Sequence, residues 1–145
     1  MADRAGVEEL LRTAIERWLA DPDSDVEYAE RLEGRWAVRM RQSVRDATTV
    51  WWEVGDRSLR FEAYVLPAPE RNREEVFAQC LRRNAVSWRS RFALDREDGI
   101  VLRGRIALEQ VTVLELDLAL GEVYGTVEVA FRPLIRTAFH RENSR

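Results

Sequence analysis

Hydrophobic positions recur along this chain with two periods, and the switches between them predict its elements. Over 7–20, Leu10, Leu11, Ile15, Trp18 and Leu19 fall on one stripe, with Glu8, Arg12, Glu16 and Arg17 away from it, which predicts an amphipathic helix. Asp21-Pro22-Asp23 ends it, because proline restricts the residue before it. The period then drops to two. Strands are predicted over 26–32, 35–42, 48–54 and 59–66, with turns at Glu33-Gly34 and Gly55-Asp56-Arg57-Ser58. Trp36, Val38 and Met40 share one face with Val50, Trp52 and Val54 and with Leu59, Phe61, Ala63 and Val65. Pro67 and Pro69 stop this run, and a helix fits 70–88, with Phe77, Cys80, Leu81, Asn84 and Trp88 on one face. Strands over 90–95 and 100–106 follow, joined through Asp98-Gly99, a pair suited to positive φ.

The last third fits both periods. Leu114, Leu116, Leu118 and Leu120, then Val123, Val127, Val129 and Phe131, alternate as in a hairpin turning at Gly121-Glu122. Yet Thr112-Val113-Leu114-Glu115 is a capping box, and Leu116, Leu120, Val123, Val127 and Phe131 lie at helical spacing. Periodicity leaves the two open. Pro133 is expected to break either, with a short segment over 134–139 after it, and fraying is expected up to about residue 4 and after residue 139.

With 145 residues, 46% of them hydrophobic, and no linker, repeat or low-complexity tract, a single domain over 1–145 is expected. The 23 basic residues, all arginine, nearly balance 26 acidic ones for a net charge of -3, which argues against nucleic acid or an anionic membrane as partner. Arginine suits bidentate pairing with carboxylates. The single cysteine, Cys80, allows no internal disulfide and fits a reducing compartment. The first residues lack the basic and apolar regions of a signal peptide, and no stretch approaches the roughly 20 apolar residues of a membrane span. A soluble, cytoplasmic protein is expected.

Catalytic and metal signals are weak. His140 is the lone histidine and lies near the end, so a serine or cysteine nucleophile has no base nearby in sequence. Cys80 reads as a buried structural thiol. Asp95, Glu97 and Asp98 lack calcium-loop spacing, Glu74 and Glu75 diverge on a helix, and the glycines form no phosphate loop. No catalytic residue, cofactor or metal ligand is proposed from these patterns.

Interaction signals are better. Trp51 occupies the strand face opposite Trp52, and Arg39, Arg41, Arg60, Glu62 and Tyr64 should share that face. A surface of Trp, Tyr and Arg has the composition of a binding hot spot, so Arg39, Arg41, Trp51, Arg60 and Tyr64 are candidate partner-binding residues. Cross-strand pairing on a solvated sheet, or burial of Trp51 beneath a helix, would explain the same residues. If the last third is helical, Leu114, Leu118, Gly121 and Gly125 lie on one face with Val129 and are a candidate dimer contact, against burial of both faces within one chain.

Several strings then resemble a known family. Pro69-x-x-Asn72-x-x-x-Val76-Phe77, Leu81-Arg82-Arg83-Asn84, Phe92-Ala93-Leu94-Asp95 and 98–105 (Asp-Gly-Ile-Val-Leu-Arg-Gly-Arg), continued by Val111-Thr112, Leu116-Asp117 and Gly121, look like the YbjN-type domain of bacterial proteins labelled sensory-transduction regulators. The resemblance covers about 7–139. That family is similar in fold to type III secretion chaperones. The resemblance implies an α+β fold, a twisted antiparallel sheet packed by helices in the order α-β-β-β-β-α-β-β-α, with a helix over 112–131. It also implies non-enzymatic protein binding, commonly as a homodimer. The reading is a chaperone-like or regulatory adaptor that binds another protein. The alternative is a small-molecule sensor with an apolar pocket between sheet and helices. Of the matched residues, Asn72 is expected to cap the second helix, Asn84 to bond to backbone, Gly99 to permit the hairpin, and Gly104 to mark a bulge or a close contact.

Overall fold

The segments of period two pair as their alternation demands. In the computed structural model, which describes residues 2–140, β1 (Val26–Leu32), β2 (Arg35–Arg41), β3 (Ala47–Val54), β4 (Ser58–Leu66), β5 (Arg91–Leu94) and β6 (Ile100–Ala107) form one antiparallel sheet in the order β1-β2-β3-β4-β6-β5. Helices α1 (Arg4–Ala20), α2 (Arg73–Asn84) and α3 (Val113–Phe139) complete the order α-β-β-β-β-α-β-β-α, with a 3-10 turn at Leu108–Gln110. This is the α+β architecture that the resemblance implies.

One sheet face carries Val38, Met40, Val50, Trp52, Leu59, Phe61, Leu102 and Ile106, all buried. Helices α1 and α3 cover it. Trp18 of α1 lies 5.8 Å from Trp52, which lies 5.2 Å from Phe61. The Trp18 indole N–H also donates to Asp117 of α3 at 2.7 Å, so the two helices are pinned by a polar bond as well as by packing. Trp36 sits half-buried at the margin of this core.

Several boundaries differ from the expectation, each for a physical reason. The buried stripe of α1 is Val7, Leu11, Ala14, Ile15 and Trp18, whereas Leu19 is exposed. This helix starts at Arg4, where the Asp3 carboxylate accepts the Gly6 N–H at 2.8 Å and caps it. The fraying expected after residue 139 falls mostly on 141–145, outside the described residues.

Helix α2 is shorter than 70–88 at both ends. Before it, the N–H groups of Glu70 and Arg71 donate to the carbonyl of Ala138, near the end of α3. Asn72 holds the N-cap position in a left-handed conformation, φ 55°, but its side chain does not cap; it donates to the Thr137 carbonyl at 2.9 Å. At the other end, the Asn84 amide exchanges two hydrogen bonds with the Phe92 backbone, at 3.2 and 2.7 Å, as expected of it. Trp88 therefore lies beyond the helix and is 83% exposed, and Leu81 is also exposed. Neither shares the buried face of Val76 and Cys80.

The ambiguous third is helical. Thr112 accepts the Glu115 N–H at 3.0 Å, and Leu116, Leu120, Val123, Val127, Ala130, Leu134 and Ala138 are buried at helical spacing. Pro133 does not break α3 but lies inside it. Proline leaves the carbonyl four residues back without its partner and costs about 3 kcal/mol in a helix interior. Ala130, Leu134 and Ala138 stay fully buried around it, and this packing offsets the cost.

Glycine meets two specific needs. In the β5–β6 turn the positive φ, 65°, falls on Asp98; a Cβ on Gly99 would lie 2.8 Å from the Asp95 carboxylate that closes the turn. Gly104 faces Phe61, and a Cβ there would meet that ring at 2.5 Å and the Arg89 carbonyl closer still. It marks a close contact, not a bulge. Among the described residues, no helix is long and apolar enough to cross a membrane.

Candidate functional site

The sheet face opposite the helices is built by the same alternation that builds the core. Register places Arg39 opposite Thr49, Trp51 opposite Glu62, and Glu53 opposite Arg60. The β6 strand continues these rows with Arg103 opposite Glu62 and Arg105 opposite Arg60, and Arg91 of β5 stands opposite Arg103. The five residues singled out from the sequence, Arg39, Arg41, Trp51, Arg60 and Tyr64, do share this face. No helix covers Trp51, which is half-buried, with the Arg35 guanidinium stacked 4.4 Å from its ring centre.

They do not form one cluster. A groove of about 750 Å³ is lined by Arg35, Trp51, Glu53, Arg60, Phe61, Glu62, Trp88, Arg89, Arg91, Ala93, Arg103, Gly104 and Arg105. Trp51 and Arg60 belong to it; Arg39, Arg41 and Tyr64 lie outside. Arg39 pairs with Glu27 at 3.1 Å and Arg41 donates to the Ser24 carbonyl at 3.0 Å, so both are tied toward the β1 edge. Tyr64 is half-exposed, and partial burial, together with the Asp95 and Glu97 carboxylates, raises its hydroxyl pKa. Within the groove Arg60 pairs with Glu53 at 3.1 Å and Arg103 with Glu62 at 3.0 Å.

Sequence reasoning missed Trp88 and the arginines of the β5 side. Arg103 and Arg105 alternate with Leu102 and Ile106, and Arg91 stands two residues from Arg89, so period two did signal them. Trp88 had no such signal, because its place depends on where α2 stops. It also depends on Glu122 of α3. That carboxylate accepts the N–H groups of Arg89 and Ser90 at 2.9 and 2.7 Å and the Ser90 hydroxyl at 2.7 Å. Burial pushes the Glu122 pKa up, but the hydroxyl and N–H donors outweigh it and hold it below the usual carboxylate value. Arg89 in turn pairs with Glu115 at 2.6 Å, the bond that most raises its pKa. Together these bonds fix the loop that carries Trp88.

The remaining candidates have structural settings. Burial pushes the Cys80 thiol up to about 11, which disfavours the nucleophilic thiolate. The Asp95 carboxylate is engaged by the Glu97 and Gly99 N–H groups, and Asp98 by Arg73 at 3.2 Å. On α3, Leu114, Leu118, Gly121, Gly125 and Val129 form an exposed outward stripe, so its second apolar face is not buried within the described chain. Between α2 and β5 lies an apolar groove of about 260 Å³ lined by Phe77, Cys80, Leu81, Asn84, Phe92, Ala93, Leu94 and Ile100.

Comparison with known proteins agrees with this architecture. A chain of the heterodimeric complex ExoU-SpcU, from the type III secretion system of Pseudomonas aeruginosa, superposes with a TM-score of 0.54 at 16% identity, over 84% of this chain and 94% of that one. An uncharacterized protein of Mycobacterium tuberculosis is 38% identical over 86 residues, 59% of this chain and 47% of its own length. One of Mycobacterium leprae is 32% identical over 105 residues, 72% of this chain and 57% of its own. The chain thus spans about half the length of the curated relatives it matches. The profile of the family "YbjN: Putative bacterial sensory transduction regulator" matches residues 11–136, and with the motifs and the element order in agreement, the chain belongs to the YbjN family.

Proposed function

We propose that this chain is a non-enzymatic binding domain, a chaperone-like or regulatory adaptor that holds a segment of another protein on its open sheet face. The observation that carries the reading is the contrast across one sheet: helices cover the face of Trp52, while Trp51, the next residue, is only half-buried and lies among arginines on the uncovered face. Aromatic and arginine side chains dominate the energetics of protein interfaces. The fold shared with a subunit of a secretion-system heterodimer supports it. A cytoplasmic setting is proposed with it.

Affinity capture with the wild-type chain, compared with Trp51→Ala and Arg60→Glu, tests the reading. A partner retained by wild type and lost with both variants is the expected result; capture insensitive to both would overturn it. The exposed α3 stripe is proposed as a homodimer contact. Light scattering should give a dimer mass that falls to a monomer in Leu114→Glu/Leu118→Glu. The α2–β5 groove favours a second reading, a sensor of small apolar molecules. At about 260 Å³ it is smaller than the ~300–1,000 Å³ of ordinary ligand pockets, which places this reading second.

A further inference from the structure

We infer that the groove between Trp51 and Trp88 takes a carboxylate-rich, extended segment of another polypeptide. This deepens, and rests on, the reading of the sheet face as a protein-binding surface. Six arginines and two glutamates line the groove, an excess of four positive charges in a chain whose net charge is -3. Both glutamates are already engaged by Arg60 and Arg103. Arg91 and Arg105 have no carboxylate partner among the described residues.

Register sharpens this. A sheet surface made only for water gains by placing opposite charges across strands, and like charges directly opposite destabilise it. The rows obey that rule on the β3 side, with Glu53 opposite Arg60 and Glu62 opposite Arg103. They break it on the β5 side, where Arg105 stands opposite Arg60 and Arg91 opposite Arg103. Carboxylates arriving from outside would relieve both like-charge pairs, and the guanidinium fork matches a carboxylate in bidentate geometry. Trp88, 83% exposed, and Trp51 supply apolar walls for the intervening backbone and side-chain stems. The groove's volume of about 750 Å³ suits several residues of chain. A nucleic acid running on past the groove would cross a surface that is acidic on balance, whereas a short acidic segment stays within it.

Fluorescence anisotropy with the full chain tests the inference, using a labelled short peptide rich in Asp and Glu, its Asn/Gln analogue, and a single-stranded DNA oligomer. The acidic peptide should bind at least roughly tenfold more tightly than the amide analogue. It should weaken between about 0.15 M and about 1 M salt, and lose its binding in Arg91→Glu/Arg105→Glu. Circular dichroism of that variant should match wild type and its melting temperature should be equal or slightly higher, since neither arginine has a carboxylate partner to lose and each new glutamate would stand opposite an arginine. Equal binding of the two peptides, undiminished binding in the double variant, or tighter binding of the DNA would overturn the inference. So would an oligomer mass that changes in the double variant, which would make the occupant a second copy. If no peptide binds while Trp51→Ala still abolishes capture of a cellular partner, the acidic segment is wrong and the binding surface stands; if Trp51→Ala also has no effect, both fall.

Discussion

Trp51 and Trp52 are neighbours in the chain and opposites in setting. Trp52 is sealed between Trp18 and Phe61, while Trp51 faces outward beneath a stacked arginine. The same alternation serves stability on one face and, in the function proposed for this chain, recognition on the other. Substitutions should therefore separate the two quantities, and the sharpest way to break that contrast is Trp52→Ala. It should cost about 3–5 kcal/mol by chemical denaturation, against about 1 kcal/mol for Trp51→Ala, which loses its stacking with Arg35 but no core packing. Equal losses at the two sites would mean that the outer face is structural after all.

Gly104→Ala probes where the faces meet. A Cβ would press on Phe61 and on the Arg89 carbonyl, and a backbone atom has little room to give. We expect a loss of about 3 kcal/mol, measured by denaturation, at the high end for overpacking. Removing a loop anchor should cost less. Glu122→Ala orphans the Arg89 and Ser90 N–H groups, and Asn84→Leu orphans the Phe92 N–H and carbonyl, for about 1–3 kcal/mol each. Since the Glu122 pKa is lowered by folding, its contribution is present above the usual carboxylate value of 4.5 and is lost as pH falls through the folded value. Denaturation across that acid range should find a smaller pH dependence in Glu122→Gln than in wild type. Smallest of all, Arg60→Ala should change stability by only ~0–1 kcal/mol, because its pair with Glu53 is exposed.

Much of this contrast is legible in the sequence because a period of two assigns faces without knowledge of the fold. It put Trp51 and Arg60 together and Trp52 with Phe61, as the register shows. What it could not supply depends on long-range contacts. The end of α2 is set by Asn84 reaching Phe92, and Trp88 is placed by Glu122 from a helix more than thirty residues away. Pro133 is tolerated in α3 because Ala130, Leu134 and Ala138, on the inner face of the helix around it, are fully buried, a tertiary effect that overrides local propensity. Arg91 and Arg105 were readable by period, but the short four-residue β5 gave little pattern to read.

The carbonyls of Thr137 and Ala138 are met by Asn72 and by the N–H groups of Glu70 and Arg71. The last turn of the long helix is thus a buckle for a segment some seventy positions earlier, and shortening the chain from Thr137 onward would unfasten the approach to α2. Any trimmed form meant for expression should stop beyond His140, and a protease clipping ahead of Thr137 would loosen the middle of the protein along with its tail.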